Sequence, residues 1–310
     1  MNTLEARNIT KAYSGHVALK DVSISVKKGN VFGLLGPNGA GKTSLIRIIN
    51  QITGPDNGEV WFNGEKLKPE HVEKIGYLPE ERGLYKKMKV GEQCMYFAQL
   101  KGLSAKEAKA KLMDWFTRFG IEAWWDKKIE DLSKGMAQKV QFITTVLHEP
   151  ELLILDEPFS GFDPINAELI RNEMLRLKNN GSTIILSTHD MGSVEELCDE
   201  IALINRSQVI LSGTVQEVKN HFRNQTFRIE YSGYAMDLGI ALGAAFELIS
   251  NTPDESGNVA IIRIPEGRKL NDLLAVLLKD LQIISVNEVV PDMNEIFIKA
   301  VNEFNNAQAV

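Results

Sequence analysis

The sequence feature that most constrains this chain is a glycine-rich loop that follows a short apolar run. Val31–Leu35 is predicted to be a buried strand, and Ser44 to Asn50 have the apolar spacing of a helix. Glycines in such a loop let successive backbone N–H groups converge on phosphate oxygens, and the following helix directs its positive end at the same anion. The pattern G-x-x-x-x-G-K-[ST] therefore predicts a phosphate-binding loop in an α/β fold, formed by Gly36, Pro37, Asn38, Gly39, Ala40, Gly41, Lys42, Thr43 and Ser44.

A second apolar run predicts the acidic side of the same site. Leu152–Leu155 is typical of a buried strand, and Asp156 and Glu157 follow at its carboxyl end, where α/β sheets bind ligands. In a loop of this kind Lys42 contacts the β- and γ-phosphates of ATP, while Thr43 and Asp156 hold Mg²⁺. Glu157 would then orient and polarise an attacking water, so the two runs together predict ATP hydrolysis.

Charge and composition limit the alternatives. The chain has 41 acidic and 35 basic residues and a formal net charge of −6, which argues against a nucleic-acid partner. We expect no secretory signal, and Leu238–Phe246 is far shorter than the roughly 20 apolar residues of a membrane span. Cys94 and Cys198 lie far apart and lack metal-ligand spacing, which favours free thiols in a reducing compartment. A cytosolic chain is expected.

The order of the patterns predicts two domains. Thr3–Ile9 and Ala18–Val26 alternate as strands do, whereas apolar residues between Val90 and Lys128 recur at helical spacing. Alternation returns beyond Gly213. We therefore expect an α/β domain at 1–215, with a helical subdomain at about 86–145, and a small α+β accessory domain at 216–310.

Further motifs accompany the phosphate loop in the order found in ABC ATPases. Tyr13 precedes the loop, Leu132-Ser133-Lys134-Gly135-Met136 is similar to the LSGGQ signature, Asp163 ends a segment similar to the D-loop, and His189 follows a strand. The chain resembles ABC ATPases across nearly all of residues 1–215. This resemblance implies a P-loop NTPase of the ABC type, with a RecA-like core, an antiparallel β subdomain and an inserted helical subdomain.

The same resemblance assigns roles to these residues. Tyr13 is expected to stack on adenine, His189 to contact the γ-phosphate, and Asp163 to act at the nucleotide as the D-loop aspartate. Ser133 and Gly135 are expected to bind phosphate at the start of a helix, in the site of a second chain. Taken one at a time, each motif also has a purely structural interpretation, such as a helix cap or a packed aromatic ring.

Three positions depart from the family pattern. Glu80 stands where ABC ATPases usually have the Q-loop glutamine, and its carboxylate suits Mg²⁺ as a hard oxygen ligand. Lys134 and Met136 replace a glycine and a glutamine of the signature, but they leave the serine and glycine donors in place.

A narrower resemblance concerns the run Leu78–Tyr85 and the signature. Both are similar to a bacterial exporter subgroup that includes sodium-export-type and drug- or lipid-export-type ATP-binding subunits, which also carry a small C-terminal domain. The resemblance implies a homodimer (or a paired ABC subunit), a separate integral-membrane permease as partner, and a position on the cytoplasmic face of the cell membrane. A ribosome-associated ABC ATPase is the alternative, although such proteins usually hold two nucleotide domains in one chain. A chromosome-maintenance ATPase would need long heptad repeats between the motifs.

Overall fold

A computed structural model describes residues 1–81, 83–233, 238–254 and 257–308, so Arg82 of the predicted 78–85 run lies outside the described residues. The strands are β1 (Asn2–Tyr13), β2 (His16–Lys27), β3 (Val31–Leu35), β4 (Asn57–Phe62), β5 (Glu65–Lys66), β6 (Ile75–Leu78), β7 (Leu152–Asp156), β8 (Thr183–Ser187), β9 (Glu200–Asn205), β10 (Gln208–Thr214), β11 (Thr226–Ser232), β12 (Glu247–Asp254), β13 (Gly257–Arg263) and β14 (Gln282–Glu288). The α-helices are α1 (Lys42–Ile49), α2 (Val90–Leu100), α3 (Ala105–Phe119), α4 (Lys134–Val146), α5 (Pro164–Asn179), α6 (Met191–Leu197), α7 (Val215–His221), α8 (Leu238–Leu242), α9 (Leu270–Leu277) and α10 (Met293–Ala307).

A six-stranded sheet of order β10-β9-β3-β8-β7-β6 forms the centre of the first unit. All its pairings are parallel except β9 with β10. Every residue of β3, β7 and β8 is buried, as expected of strands covered on both faces. Because the carboxyl ends of parallel strands meet at one edge, the residues that follow β3, β7 and β8 come together there.

The predicted N-terminal strands form part of a second, antiparallel sheet of order β2-β1-β4-β5. They are longer than the sequence indicated, because pairing continues to Tyr13 and His16 on either side of the turn at Ser14 and Gly15. Both turn residues have positive φ, at 44° and 86°, as a two-residue hairpin turn of this type requires. The apolar face of this sheet shares one core with the central sheet, so the hairpin is fixed against the phosphate loop's own strand.

The stretch 90–128, which has helical apolar spacing, contains the helices α2 and α3. Ser104 caps α3 by accepting the Glu107 N–H, and Gly120 ends the helix in the left-handed conformation, with φ 62°. The buried residues of α3 repeat at three- and four-residue steps and form its inner face: Ala108, Leu112, Trp115, Phe116 and Phe119.

The second compact unit spans Gln216–Ile296 and has its own apolar core. Its elements follow the order β11-α8-β12-β13-α9-β14, and its antiparallel sheet has the order β12-β13-β11-β14, which is a ferredoxin-like arrangement. This second unit ends earlier than the predicted accessory domain at 216–310. The chain from Phe297 onward belongs to the first unit instead. One reason is that the Asn205 side-chain amide donates to Asn305 Oδ1 over 3.1 Å.

Candidate functional site

The phosphate loop connects β3 to α1, and two of its glycines are required by close backbone contacts. Gly36 and Gly41 have φ of 149° and 118°. A Cβ at Gly36 would lie 2.2 Å from the Ile204 carbonyl oxygen, and one at Gly41 would lie 2.3 Å from that of Ala18. Any side chain at these positions would therefore push the loop away from its neighbouring strands.

Lys42 lies at the start of α1 with its ammonium turned back into the loop. Its Nζ donates to the carbonyl oxygens of Gly36, over 2.6 Å, and Pro37, over 3.2 Å. Burial lowers the pKa of Lys42, and the carboxylates of Glu157, Asp156 and Glu80 act in the opposite direction. The cation is therefore held among three acids by the loop that is predicted to bind phosphate.

The acidic side of the site is formed where β7 ends. Asp156 is only 5% exposed, and burial raises its pKa, as do the nearby carboxylates of Glu80 and Glu157. Glu157 has a left-handed backbone, with φ 49°, and its N–H donates to the Ser187 carbonyl oxygen over 2.8 Å. A non-glycine residue in this conformation is strained by about 1–3 kcal/mol, which is common at functional sites.

Two groups beyond β8 hold the Glu157 carboxylate. The Thr188 hydroxyl donates to Oε2 over 3.2 Å, and His189 Nδ1 lies 2.7 Å from Oε1. The His189 side chain is mostly exposed whereas that of Glu157 is mostly buried. Thr188 was not among the predicted site residues, although it stands directly before the predicted histidine.

These elements enclose one cavity of about 320 Å³. Its lining brings together the predicted residues Tyr13, Asn38, Gly39, Ala40, Gly41, Lys42, Thr43, Ser44, Glu80, Asp156, Glu157 and His189. His16 and Ala18 also line it and were missed by sequence reasoning. The available signal was the turn at Ser14 and Gly15, because a two-residue turn pairs Tyr13 with His16 directly.

The lining fits a triphosphate and a magnesium ion. The loop and the first turn of α1 present backbone N–H groups that have no intrahelical acceptor, and nothing lies within 4 Å of where a Gly39 Cβ would be. Thr43, Glu80 and Asp156 supply one hydroxyl and two carboxylates, which are the oxygen ligands that Mg²⁺ prefers. N–H donors suited to an anion and oxygen groups suited to a metal ion therefore line the same cavity.

Five predicted nucleotide-binding residues do not line this cavity: Gly36 and Pro37, which belong to the phosphate loop, and Ser133, Gly135 and Asp163, which lie on other elements. Ser133 and Gly135 are at the N-terminus of α4, where the exposed Ser133 Oγ accepts the Met136 N–H over 3.3 Å. Asp163 caps α5 instead: it accepts the Asn166 N–H over 2.9 Å and the Asn166 side-chain amide over 2.6 Å, and these bonds hold its pKa below the usual range. None of these last three lines the cavity of its own chain.

The α4 N-terminus and the loop before α5 are packed against each other. The Gln138 side-chain amide donates to the Ser160 carbonyl oxygen. The Lys134 side chain lies over Gly161, where an added Cβ would be 2.4 Å from Cε. The signature-like and D-loop-like segments thus form one surface.

Three family models match the chain. One, described as ABC transporter, matches residues 19–160, and a second, described as the C-terminal domain of ATP-binding protein DrrA1-3-like, matches residues 213–301. The third, described as AAA domain, putative AbiEii toxin, Type IV TA system, matches residues 128–195.

Individual proteins give the same result. The chain is 44% identical over 222 residues, or 72% of this chain and 74% of the relative, to the uncharacterized ABC transporter ATP-binding protein YhaQ of Bacillus subtilis. It is 33% identical over 218 residues, or 69% and 72% of the two chains, to Nod factor export ATP-binding protein I of Cupriavidus metallidurans. A solved structure of the ATP-binding subunit of an ABC transporter is similar with a TM-score of 0.67 and 32% identity, covering 71% of this chain and 93% of that one.

Proposed function

The chain belongs to the ABC transporter ATP-binding family, and on that premise we propose that it hydrolyses ATP to power a separate membrane permease, as the motor of an exporter. The family binds ATP, and the predicted P-loop fold of the ABC type with a small C-terminal domain is confirmed. The relatives are transporter subunits, which favours transport over a ribosome-associated role.

One observation supports hydrolysis above all others. A single cavity holds the Lys42 ammonium, the Asp156 carboxylate and a Glu157 carboxylate fixed 2.7 Å from His189. Lys42 and the loop amides would bind the phosphates, and Tyr13, which is 40% exposed at the cavity's edge, would stack on the base. The Glu157 carboxylate would accept a hydrogen bond from the attacking water and so polarise that water.

Thr43, Asp156 and Glu80 are the residues that would hold a magnesium ion. When bound, Mg²⁺ would neutralise charge on the β- and γ-phosphates. Burial raises the pKa of Asp156, and the carboxylates of Glu80 and Glu157 raise it further; a bound Mg²⁺ would offset that repulsion.

The position of Ser133 and Gly135 supports a dimer. Both lie outside their own chain's cavity, at an exposed helix N-terminus that favours anions. We expect them to close over the nucleotide of a second copy or of a paired ABC subunit, in a head-to-tail arrangement. Asp163 and the loop before α5 lie on the same surface. We therefore expect Asp163 also to act at the nucleotide of the second chain.

A groove beside the central sheet supports a permease partner. It has a volume of about 380 Å³ and is lined mainly by residues of β6, the segment after it, α2 and α4. Ile52 and Leu100 line it and are 61% and 60% exposed. Within the described ranges no helix is long and apolar enough to span a membrane. We propose that a helix of the permease docks in this groove, which would place the chain on the cytoplasmic face of the membrane.

The exporter assignment has narrower support. It rests on the resemblance of residues 78–85 and of the signature to the exporter subgroup, on the DrrA1-3-like C-terminal match, and on one relative named for export. A sodium-export type is part of the same proposal. Transport into or out of inverted membrane vesicles that contain the chain and its permease tests the direction.

The variant Glu157→Gln tests the mechanism. It keeps the size of the side chain but removes the base, so ATP binding should persist, turnover should fall at least a hundredfold, and an ATP-dependent dimer should accumulate in size-exclusion chromatography. Glu303→Gln, on the exposed side of α10, is the matched control and should behave as wild type. A Glu157→Gln chain that remains monomeric in ATP, or hydrolyses it normally, would refute the proposal.

A further inference from the structure

The groove beside the central sheet has an unusual charge balance. Its polar lining residues are asparagine, threonine, tyrosine, glutamine, one lysine and one histidine, and none of its described lining residues is an aspartate or a glutamate. The cation is Lys101, the C-cap residue directly after α2, and the histidine is His148, which follows α4. The described lining of the groove therefore carries positive charge at Lys101 and no negative charge.

Lys101 is held in place by the backbone but is not neutralised. Its Nζ donates to the carbonyl oxygens of Val72, over 2.7 Å, and Ile75, over 2.9 Å. An ammonium group has three N–H donors, so one remains after these two bonds. Among the described residues, no carboxylate oxygen lies within 4.0 Å of Lys101 Nζ, the distance limit for an ion pair.

The surroundings make this charge costly. Burial lowers the pKa of Lys101, and the more distant carboxylate of Glu73 only partly opposes this effect. His148 adds no second positive charge, because burial and the Lys101 charge lower its pKa to about 4, with a smaller contribution from Lys111. A partly desolvated cation that forms no ion pair with a described residue is expected to attract a carboxylate from whatever fills the groove.

We propose that the permease segment which docks in this groove is an amphipathic helix that presents an aspartate or glutamate to Lys101. Its apolar side would cover Ile52, Phe97 and Leu100, and its carboxylate would take the third N–H of the ammonium. The inference rests on the proposed function, because it assumes a permease partner. It adds the chemistry by which the partner is recognised.

Two synthetic helical peptides test this specificity. Both carry leucines along one face, and they differ only at one residue, which is glutamate in the first and glutamine in the second. The glutamate peptide should bind the full-length chain about tenfold more tightly at low salt, as measured by fluorescence anisotropy. Leu100→Asp should abolish the binding of both peptides if they occupy the groove.

Variants of Lys101 assign the preference to one group. In Lys101→Met the tenfold preference should fall to about twofold or less, whereas Lys101→Arg should keep it and Lys106→Met, an exposed control on α3, should leave it unchanged. If Lys101→Met does not fold, because the Val72 and Ile75 carbonyls lose their donor, Lys101→Gln is used in its place. Equal binding of the two peptides, absence of binding, or a preference that survives loss of the cation would overturn the inference.

The outcome can be separated from that of the proposed function. ATP retention and the ATP-dependent dimer of Glu157→Gln are measured on the same preparations and do not involve Lys101. If they hold while the peptides bind equally, the partner chemistry is wrong and the motor function stands. If ATP is neither bound nor hydrolysed, the motor function itself fails.

Discussion

Replacing Gly41 with alanine tests whether the phosphate loop is shaped by its contact with the N-terminal hairpin. The added Cβ would lie 2.3 Å from the Ala18 carbonyl oxygen and 2.9 Å from Leu19 Cδ2. Cβ atoms essentially never come within 3.0 Å of a heavy atom outside their own residue and its chain neighbours. A backbone carbonyl also cannot move aside as a side chain can. Either the loop or strand β2 must therefore shift.

The size of the effect follows from a comparison within the same loop. Gly39 also has a positive φ, at 78°, but nothing lies within 4 Å of where its Cβ would be. Gly39→Ala should cost only the left-handed backbone penalty of about 1–2 kcal/mol, reduced by about 0.4–1 kcal/mol through the stiffer unfolded chain. Gly41→Ala adds an overpacking cost of about 1–3 kcal/mol. We therefore expect Gly41→Ala to be destabilised by about 2–4 kcal/mol and Gly39→Ala by about 1 kcal/mol.

Urea unfolding without nucleotide, followed by tryptophan fluorescence, measures this difference. All four tryptophans lie in the first compact unit (Trp61, Trp115, Trp124 and Trp125), so the signal reports on the unit that carries the loop. Gly15→Ala is a second control, because it has a positive φ and open space but lies outside the loop. Equal losses of unfolding free energy at Gly39 and Gly41 would refute the steric argument.

Three further predictions concern single side chains. Asp156→Asn should stabilise the nucleotide-free chain although it removes a metal ligand: the folded-state pKa of Asp156 is raised, so its stabilising contribution exists at low pH and is lost as pH rises through that pKa. The gain in thermal midpoint should be larger at about pH 8 than at about pH 5, and a gain that shrinks with rising pH would contradict the sign. Glu80→Ala should raise the Mg²⁺ concentration needed for half-maximal ATP hydrolysis, whereas an unchanged Mg²⁺ requirement would exclude Glu80 as a ligand. Gln93→Leu should stabilise the chain by about 1–3 kcal/mol in urea unfolding, because Gln93 is 0% exposed and neither atom of its amide has a hydrogen-bond partner among the described residues. A destabilised Gln93→Leu would show that the amide does contribute to the fold.

The sequence predicted the elements of the site more accurately than their contacts. The loop at 36–43 and the acids at Asp156 and Glu157 each follow an apolar strand, and parallel strands bring their carboxyl ends together whatever the details of packing. The turn at Ser14 and Gly15 indicates that His16 pairs with Tyr13, but it does not indicate what the hairpin packs against. The place of His16 in the cavity follows from the pairing of β1 with β2 and from the packing of that sheet on β3.

The helix caps show the same limit. Ser133 and Asp163 both precede helices, and each was assigned to a nucleotide by resemblance. In the chain alone, Ser133 caps α4 and Asp163 caps α5 through short-range bonds that any such residue could make. Neither residue lines the chain's own cavity, so the proposed contact with a nucleotide depends on a second chain.

By itself the sequence determined which local structures form, because apolar periodicity, the glycine-rich loop and the acidic pair act over a few residues. Only the tertiary structure decided which distant groups meet: Gly41 against Ala18, His189 against Glu157, and Asn305 against Asn205. The tertiary structure also placed Lys101 in a groove whose described lining residues include no aspartate or glutamate. The physical reason is that such contacts are set by the packing of whole sheets and helices, whose positions depend on all of their neighbours at once.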